Sequence, residues 1–360
     1  MINNQLTFNE YQNPTSTYMP FKFYRTLEIG VDLGTANTLV IYENNVIIDE
    51  PSIIAIDSTT SNVIAVGKEA MLMHEKTHPS IKTIKPLKDG VIANFSAAEA
   101  MIKSFIKKIK ASNKIFFEKK FSMLICIPSS ITEVEKRAVK DSAVHAGADE
   151  VLMIYEPMAA AIGAGLDINS PNGIMIIDIG GGTTEIALIS LSGMVNEFSV
   201  RIAGNTFTDD IINYIKKQHN LLIGEKTAER IKLNIGSAMD CLEENIEEYP
   251  VIGRDMLTGI PKTINLHYSE VAHAIDKSLS KIEESILKAL EHSPPELCSD
   301  LYEYGIHVCG GGALLKGLDK RLNLKTKLKI NLVEEPLKAV VRGTAIALSE
   351  RQKYKKVLFN

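Results

Sequence analysis

The stretch IGVDLGTANTLVIYENN, residues 29–45, decides the fold because its pattern recurs in MIIDIGGGTTEIALISLSG, residues 175–193. In each copy an apolar run meets an aspartate, then glycine and small polar residues, then a threonine and a second apolar run. The aligned pairs are Asp32 with Asp178, Gly34 with Gly180, and Thr38 with Thr184. Two such turns, about one domain length apart, point to a shared physical cause.

The elements around the two copies alternate between strand and helix patterns. Short apolar runs such as FSMLICIP (121–128) are typical of buried strands, whereas SAAEAMIKSFIKKIK (96–110) repeats its apolar residues at helical spacing. Thr132 followed by Glu135 predicts a capping box at the start of a helix. The order predicts an α/β fold with two related domains that face one another across a cleft.

Bulk composition sets limits on function. The chain has 360 residues, 45% of them hydrophobic, and a formal net charge of −4, which gives no global reason to expect nucleic-acid binding. Four cysteines lack any CxxC spacing, and Cys126 and Cys309 lie in apolar runs, so we expect buried free thiols in a reducing cytosol. Residues 1–24 lack a signal-peptide pattern and are predicted to form a flexible tail.

The two repeated turns are suited to binding phosphate. Glycine and small residues let successive backbone N–H groups approach an anion without obstruction, and two opposed turns could hold a polyphosphate from both sides. Taken singly, each could also be an ordinary tight hairpin. The turn residues are Gly34, Thr35, Ala36 and Asn37 in the first copy, and Gly180, Gly181, Gly182 and Thr183 in the second.

Asp32 and Asp178 come at strand ends beside these turns, where a bound triphosphate would bring Mg²⁺, a cation that commonly needs only one or two carboxylates. A third glycine turn follows a late strand and suits the close approach of a flat ring or an anion. It consists of Gly310, Gly311 and Gly312. The Walker and Rossmann phosphate motifs are absent from the sequence.

The DxGxxxT repeat with a late GGG turn resembles the actin, Hsp70 and sugar-kinase ATPase superfamily, and longer strings resemble its MreB family of bacterial actins. The resemblance runs from about residue 29 to 348 and implies an actin-like, ribonuclease H-like fold of four subdomains around a nucleotide cleft. The strings include KPLKDGVIANF (85–95), IPSSITEVEKRAV (127–139), EPMAAAIGAGLDI (156–168), NLLIGEKTAERIKLNIGSA (220–238) and GRDMLTGIPKTI (253–264). The implied subdomains are IA (25–57, 100–164 and 344–360), IB (58–99), IIA (165–206 and 270–343) and IIB (207–269).

The resemblance implies an ATPase that binds ATP or ADP with Mg²⁺ held by Asp32 and Asp178 through water. It assigns Glu156 to polarising the attacking water, with Thr183 as its helper; read from the residues alone, Glu156 could equally be a charge at a helix N-terminus. It places Glu229 and Lys232 beside the ribose and adenine, although they could also form an ordinary surface pair. Gly310 to Gly312 are expected beneath the base or the α-phosphate.

Two departures from the family pattern bear on catalysis. The family usually reads EEP where this chain has Tyr155 before Glu156. It also usually reads AGDEMDEAI where this chain has AGNTFTDDI, residues 203–211, so that Asn205 and Thr208 are among the replacements for acidic residues. We therefore expect ATP binding, with hydrolysis of ATP to ADP and phosphate that is slow, coupled to polymerisation and able to differ in rate from the family norm.

The resemblance also implies self-association into paired head-to-tail protofilaments, in which nucleotide state controls the cleft and the filament contacts. Two alternatives stay open. One is a filament protein that binds ATP and barely hydrolyses it; the other is a small-molecule kinase of the same superfold, since fold does not fix function. Nothing in the sequence supplies the additional substrate motif that a kinase needs.

A membrane contact is predicted from the lysine-rich segment between Lys103 and Lys120, which holds seven lysines and one acid. Apolar residues at its tip could insert while the cations meet anionic headgroups, although the phenylalanines could instead pack in the core. The tip residues are Ile115, Phe116 and Phe117. The MreB family bears a hydrophobic loop here, which implies a peripheral location at the inner face of the cell membrane, with membrane proteins as further candidate partners. PFKFY (20–24) is a weaker candidate for the same contact. RQKYKKVLFN (351–360) also mixes cations with apolar residues and could be either a tail or an anchor.

Overall fold

The computed structural model describes residues 27–43, 45–112, 121–243 and 246–360. The candidate membrane residues Ile115, Phe116 and Phe117, the segment 20–24 and the predicted tail 1–24 lie outside the described residues. No helix among the described residues is long and apolar enough to cross a bilayer.

Strands alternate with helices along the chain, as the sequence predicts. They are β1 (Leu27–Leu33), β2 (Asn37–Tyr42), β3 (Asn45–Pro51), β4 (Ile54–Asp57), β5 (Val63–Val66), β6 (Ile81–Ile84), β7 (Leu87–Lys88), β8 (Val91–Ile92), β9 (Phe121–Ile127), β10 (Glu150–Tyr155), β11 (Ile174–Ile179), β12 (Thr184–Ser190), β13 (Gly193–Val200), β14 (Leu221–Leu222), β15 (Tyr249–Asp255), β16 (Pro261–Leu266), β17 (Ile306–Cys309) and β18 (Ile330–Leu332).

The helices connect these strands, and two short 3-10 turns, Gly311–Leu314 and Pro336–Lys338, follow β17 and β18. The α-helices are α1 (Lys68–Met73), α2 (Phe95–Ser112), α3 (Glu133–His145), α4 (Glu156–Gly163), α5 (Gly204–His219), α6 (Glu225–Ile235), α7 (Tyr268–Glu291), α8 (Pro295–Tyr304), α9 (Leu318–Thr326) and α10 (Ala339–Ser349).

Two five-stranded sheets share one topology. The first has the order β3-β2-β1-β9-β10 and the second the order β13-β12-β11-β17-β18. In each, the first three strands pair antiparallel and the last two join in parallel. The predicted duplicated α/β fold is therefore confirmed, and the repeated aspartates lie on the equivalent central strands β1 and β11.

Small residues allow close packing where α4 and α10 cross. A Cβ added at Gly163 would overlap the carbonyl oxygen of Ala339, and one added at Gly343 would overlap that of Ala159. Every residue of α4 after Glu156 is buried. A helix built from MAAAIG thus gives the close packing that its composition predicts, because larger side chains would hold the helix axes apart.

Local signals in the first half also appear as predicted. The apolar face of α2 is buried, with Met101 fully enclosed and Phe105 2% exposed. At the start of α3, the Thr132 hydroxyl accepts a hydrogen bond from the Glu135 amide, and the Glu135 carboxylate accepts one from the Thr132 amide in return. These two elements flank β9, whose seven residues are all buried as expected for a strand in the middle of a parallel layer.

Two smaller sheets lie at the outer ends of the halves. The order β5-β4-β6 forms one, which begins at Ile54, and β14-β15-β16 forms the other. The residues after α10 also fold back onto the first large sheet: Tyr354 and Val357 are buried, and Phe359 pairs with Met153 of β10. This packing makes the closing residues a weaker candidate for a membrane anchor than the sequence suggested.

Candidate functional site

Strand register places Asp32 and Asp178 at matching points of the two sheets. Asp32 near the end of β1 lies opposite Cys126 of the parallel strand β9. Asp178 near the end of β11 lies opposite Cys309 of the parallel strand β17. Both cysteines are buried free thiols, as predicted. The duplicated topology therefore delivers one carboxylate from each half to the same region of the molecule.

The first glycine turn is fixed by Ser52, which follows β3. The Ser52 hydroxyl donates to the Gly34 carbonyl oxygen at 2.6 Å, and the Ser52 amide donates to the Ala36 carbonyl oxygen at 2.9 Å. With two of its carbonyl oxygens bonded to Ser52, the turn is held in place from β3. The peptide N–H groups of Gly34 to Asn37 are the part of this turn suited to an anion.

The second glycine turn is fixed by the start of α5. The Gly180 amide donates to the Thr183 carbonyl oxygen at 3.0 Å and so closes the turn. The amides of Gly204 and Asn205 then donate to the carbonyl oxygens of Gly180 and Gly181, at 3.1 and 2.8 Å. The N-terminus of α5 is thus bonded to this turn, and the dipole of the helix adds a positive electrostatic potential to the region.

The two turns meet at their tips, and glycine is required there. A Cβ at Gly181 would lie 2.6 Å from the Ala36 Cβ, and one at Gly182 would lie 2.6 Å from the Thr35 hydroxyl oxygen. That hydroxyl also accepts a hydrogen bond from the Gly90 amide at 2.9 Å. The structure therefore brings together the two turns that the sequence predicted to oppose one another.

Glu156 is the first residue of α4, directly after β10. Burial, followed by the negative charges of Glu185, Asp32 and Asp178, raises the pKa of the Glu156 carboxyl well above its ordinary value. Because a Coulombic effect weakens with distance, its presence means that these carboxylates lie near one another. The structure thus groups the predicted catalytic glutamate with both predicted metal-binding aspartates.

The pKa values of the two aspartates are raised as well, in both cases mainly by burial. Burial raises the pKa of Asp32 to about 7. Burial, and then the charges of Asp32 and Glu185, raise the pKa of Asp178 to about 7, although a hydrogen bond from the Cys309 thiol works in the opposite direction. Crowded, partly desolvated carboxylates are the donor chemistry that a hard divalent cation such as Mg²⁺ satisfies. Among the described residues no group of three or more acidic, histidine or cysteine side chains is arranged to ligate an ion directly.

The third glycine turn packs directly behind Asp178. Gly310 has a φ of 79°, and a Cβ there would overlap a carboxylate oxygen of Asp178. A Cβ at Gly312 would overlap the side chain of Ile179. The turn leads into the 3-10 turn Gly311–Leu314, and α9 begins only at Leu318. Gly310 and Gly312 are therefore required at least for the close approach of this turn to β11, whereas Gly311 has no close contact with that strand.

Glu229 and Lys232 are paired on α6 and contact the first turns of α5. Lys232 Nζ lies 2.7 Å from a Glu229 carboxylate oxygen and donates to the Gly204 carbonyl oxygen at 2.7 Å. Thr208, one of the departures from the family pattern, donates to Glu229 at 2.8 Å. The pair is therefore connected to the predicted phosphate turn through α5.

Glu185 is a member of the site that sequence reasoning missed. It lies opposite Asp178 in the antiparallel pairing of β11 with β12 and is 1% exposed. Its carboxylate accepts hydrogen bonds from the hydroxyl and amide of Ser129, at 2.6 and 3.2 Å, and from the Ser199 hydroxyl. Because Ser129 follows β9, Glu185 connects the two halves beside the acidic cluster. A lone acid in the apolar run TTEIALIS was the signal that could have identified it.

The outer ends of the cleft are also joined. Glu225, at the start of α6, forms an ion pair with Lys85 and lies 3.2 Å from His74 Nε2. Its backbone amide donates to the Glu75 carboxylate at 3.2 Å. Although burial favours the neutral acid, hydrogen bonds and charges from Lys85 and His74 hold the pKa of Glu225 below its usual value. The small sheet of the first half is thereby held against α6 of the second.

Replacing Glu225 with glutamine is expected to speed release of bound nucleotide roughly two- to fivefold, because partly exposed ion pairs contribute up to about 1 kcal/mol. Stopped-flow displacement of a fluorescent ATP analogue measures this rate. Glu69→Gln, an exposed acid on α1 of the same small domain, is the matched control. Equal release rates for Glu225→Gln and wild type would mean that this contact does not restrain opening of the cleft.

Comparison with known proteins gives one consistent result. The model of the family described as MreB/Mbl protein matches residues 26–356. Mbl, a cell shape-determining protein of Bacillus subtilis, is 43% identical over 330 residues, which cover 91% of this chain and 98% of that protein. MreB, a cell shape-determining protein of Escherichia coli, is 44% identical over 326 residues, which cover 89% and 93%.

Comparison with solved structures leads to the same family and the same fold. MreB5 of Spiroplasma citri bound to ADP superposes with a TM-score of 0.85 at 38% identity, covering 92% of this chain and 98% of that one. The same protein bound to AMPPNP gives the same values. A MamK double helical filament superposes with a TM-score of 0.76 at 21% identity, covering 91% and 99%, and supports the fold alone.

Proposed function

The chain belongs to the MreB/Mbl protein family, and on that premise we propose that it is an ATP-binding bacterial actin that polymerises, hydrolyses ATP and acts in cell shape or cytoskeletal organisation. The observation that carries this proposal is the convergence of Asp32, Asp178 and Glu156 beside two opposed glycine turns. Phosphoryl transfer depends on positioning and charge neutralisation more than on covalent chemistry, and this cluster is suited to both tasks.

The two glycine turns are proposed to hold the phosphates of ATP through their amides, one turn from each half. Asp32 and Asp178 are proposed to hold Mg²⁺ through water molecules, and the bound ion would neutralise charge on the phosphates. Their raised pKa values support this role, because a nearby cation would offset the cost of burying two negative charges. Glu229 and Lys232 are proposed to lie beside the ribose and adenine, with Gly310 to Gly312 near the base.

Glu156 is proposed to orient the attacking water and accept its proton, with the hydroxyl of Thr183 assisting. A base with a raised pKa takes up that proton more readily than an ordinary carboxylate. Thr183 lies in the second turn and is 7% exposed, near Gly90 of the first half. A cluster drawn from both halves is complete only when the halves approach each other, which would link hydrolysis to closure of the cleft.

The four-subdomain division is proposed to follow the sheets. The two large sheets would form the cores of IA and IIA. The sheet β5-β4-β6 would belong to IB, whose start then moves from the predicted residue 58 to Ile54, and the sheet β14-β15-β16 would belong to IIB. In this arrangement the contact of Glu225 with Lys85 and His74 joins IB to IIB across the mouth of the cleft.

Sedimentation with ATP tests the polymer, and electron microscopy of the pellet checks for filaments. The proposal predicts pelleting that requires ATP or its analogue and is weaker with ADP, because nucleotide state would set the closure of the cleft. A protein that stays in the supernatant with every nucleotide would contradict the filament and favour a kinase of the same fold. Pelleting without phosphate release would favour the weakly hydrolysing filament protein.

A peripheral position at the inner face of the cell membrane is proposed for these filaments, with anionic lipids and membrane proteins as partners. The argument rests on the sequence of the lysine-rich segment 103–120, whose apolar tip is suited to insertion. Two lysines of this segment lie among the described residues. Lys110 Nζ is 5.7 Å from the centroid of the Phe121 ring, and Lys108 Nζ forms an ion pair with a Glu50 carboxylate oxygen at 2.8 Å.

Changing Ile115, Phe116 and Phe117 together to serine is expected to reduce the fraction bound to anionic vesicles at least about tenfold, since burying one such side chain contributes roughly 1.5–3 kcal/mol. Vesicle flotation measures binding, and pelleting with ATP checks that polymerisation is retained. Leu72→Ser, a residue 64% exposed on α1, is the control. Unchanged flotation of the triple variant would contradict the insertion.

A further inference from the structure

We infer that the closing segment, residues 354–360, positions Glu156 for hydrolysis by bracing the strand and helix on either side of it. The inference rests on the proposed function, because it assigns positioning residues to the proposed reaction. Tyr155 and Phe359 are the central pair, and neither is part of the glycine turns or the acidic cluster. We call this segment the strap.

The strap adds a partner to the edge of the first large sheet. β10 is the last strand of that sheet, with β9 on one side only. On its other side the Met153 amide donates to the Phe359 carbonyl oxygen at 2.7 Å, and the Phe359 amide donates to the Met153 carbonyl oxygen at 3.1 Å. This bonded pair occurs three residues before Glu156. It satisfies backbone groups of β10 that the sheet leaves unpaired.

Side chains extend the contact to the residue next to Glu156. The rings of Phe359 and Tyr155 are 4.8 Å apart between centroids and tilted by 44°. Lys136 Nζ of α3 lies 5.2 Å from the centroid of the Phe359 ring. The ring of Phe359 is thus held between a cation of α3 and the tyrosine of β10, an arrangement that favours one orientation of Tyr155.

The other half of the strap packs behind the helix that Glu156 begins. Tyr354 and Val357, 6% and 7% exposed, belong to the same apolar cluster as Met158 and Ala159 of α4. The strap therefore contacts β10 before Glu156 and shares a core with α4 after it. A displacement of the strap would be transmitted to the strand–helix junction from both directions.

The junction is what sets the position of the Glu156 carboxylate. Within the described part of the chain, no hydrogen bond to another side chain or amide orients that carboxylate, so backbone packing has to place it. A side chain without a ring at either position could not make this contact. Tyr155 and Phe359 therefore act as a packing pair beside Glu156.

Phe359→Ala and Tyr155→Ala are expected to lower the phosphate-release rate at saturating ATP about tenfold, since small misplacements of a reacting group are costly, while leaving ATP affinity within about twofold of wild type. Phe359→Tyr and Tyr155→Phe keep both rings and should retain the wild-type rate. Lys356→Ala, an exposed residue of the same strap, is the matched control. Affinity measured with a fluorescent ATP analogue confirms that each variant is folded.

Two results would overturn the inference: a wild-type release rate for Phe359→Ala, or ATP affinity falling by the same factor as the rate. If wild type releases phosphate no faster than Glu156→Gln, it is the proposed function that fails. Hydrogen exchange of residues 150–160 then decides on the strap alone. Faster exchange in Phe359→Ala than in Lys356→Ala would support bracing, and equal exchange would contradict it.

Discussion

Replacing Glu156 with glutamine is expected to lower the rate of phosphate release at saturating ATP by about 100-fold, because a positioned general base contributes roughly 10²–10⁴-fold. Glutamine has nearly the same shape but cannot accept the proton of the attacking water. ATP affinity should be equal to that of wild type or higher, since removing a negative charge from the acidic cluster lessens repulsion of the phosphates.

Glu296→Gln is the matched control for this experiment. Glu296 also lies in the first turn of a helix, α8, but its side chain is exposed and belongs to no part of the proposed site. Its variant should release phosphate at the wild-type rate. If Glu156→Gln did so too, Glu156 would be a charge that stabilises the N-terminus of α4, and another group would have to orient the water.

Replacing Asp178 with asparagine is expected to have opposite effects on the free and the nucleotide-bound protein. The pKa of Asp178 is about 7 in the folded chain, whereas an unfolded aspartate titrates near 3.9. Between these values the folded state binds more protons, so the free energy of unfolding falls as pH rises from about 4 to about 7. The uncharged variant escapes this loss, and its melting temperature without nucleotide at pH 8 should exceed that of wild type by about 2 °C or more.

With Mg·ATP the order should reverse. Ligand at 100 times its Kd stabilises the folded state by about 2.7 kcal/mol, which raises the melting temperature of wild type by several degrees. Asp178→Asn should lose most of this rise, and Asp49→Asn, an exposed residue of β3, should keep it. Because ionised carboxylates are needed, the rise in wild type should itself shrink as pH falls below about 7. A full rise in Asp178→Asn, independent of pH, would contradict a role in holding Mg²⁺.

The sequence was sufficient to predict the elements that act through local pattern. The alignment of Asp32 with Asp178 predicted two equivalent strand ends, and the register of β1 with β9 and of β11 with β17 bears this out. The run MAAAIG predicted close packing of α4. Its partner, α10, was not identifiable, because no local pattern connects residues 156–163 to Ala339–Ser349.

Contacts between distant segments account for most of what was missed. Glu225 meets Lys85 across 140 residues of chain and His74 across 151, and each residue alone is an ordinary surface charge. The sequence does not identify Glu185 as a site residue, because its strand is apolar and its partner Ser129 belongs to the other half. From the sequence alone, residues 354–360 could be either a tail or a membrane anchor. Phe359 pairs with Met153 only when β10 forms the edge of the first large sheet, and no local pattern predicts that contact.

Calorimetric titration of the wild-type chain with preformed Mg·ATP at pH 7, in two buffers of different ionisation enthalpy, tests the central claim most directly. The two glycine turns and two aspartates define one site shared by both halves. We therefore expect one nucleotide per chain, with net release of protons as Asp32 and Asp178, each with a pKa of about 7, become ionised beside the cation. Binding of equal affinity without Mg²⁺ and without proton release, or no binding at all, would contradict the claim.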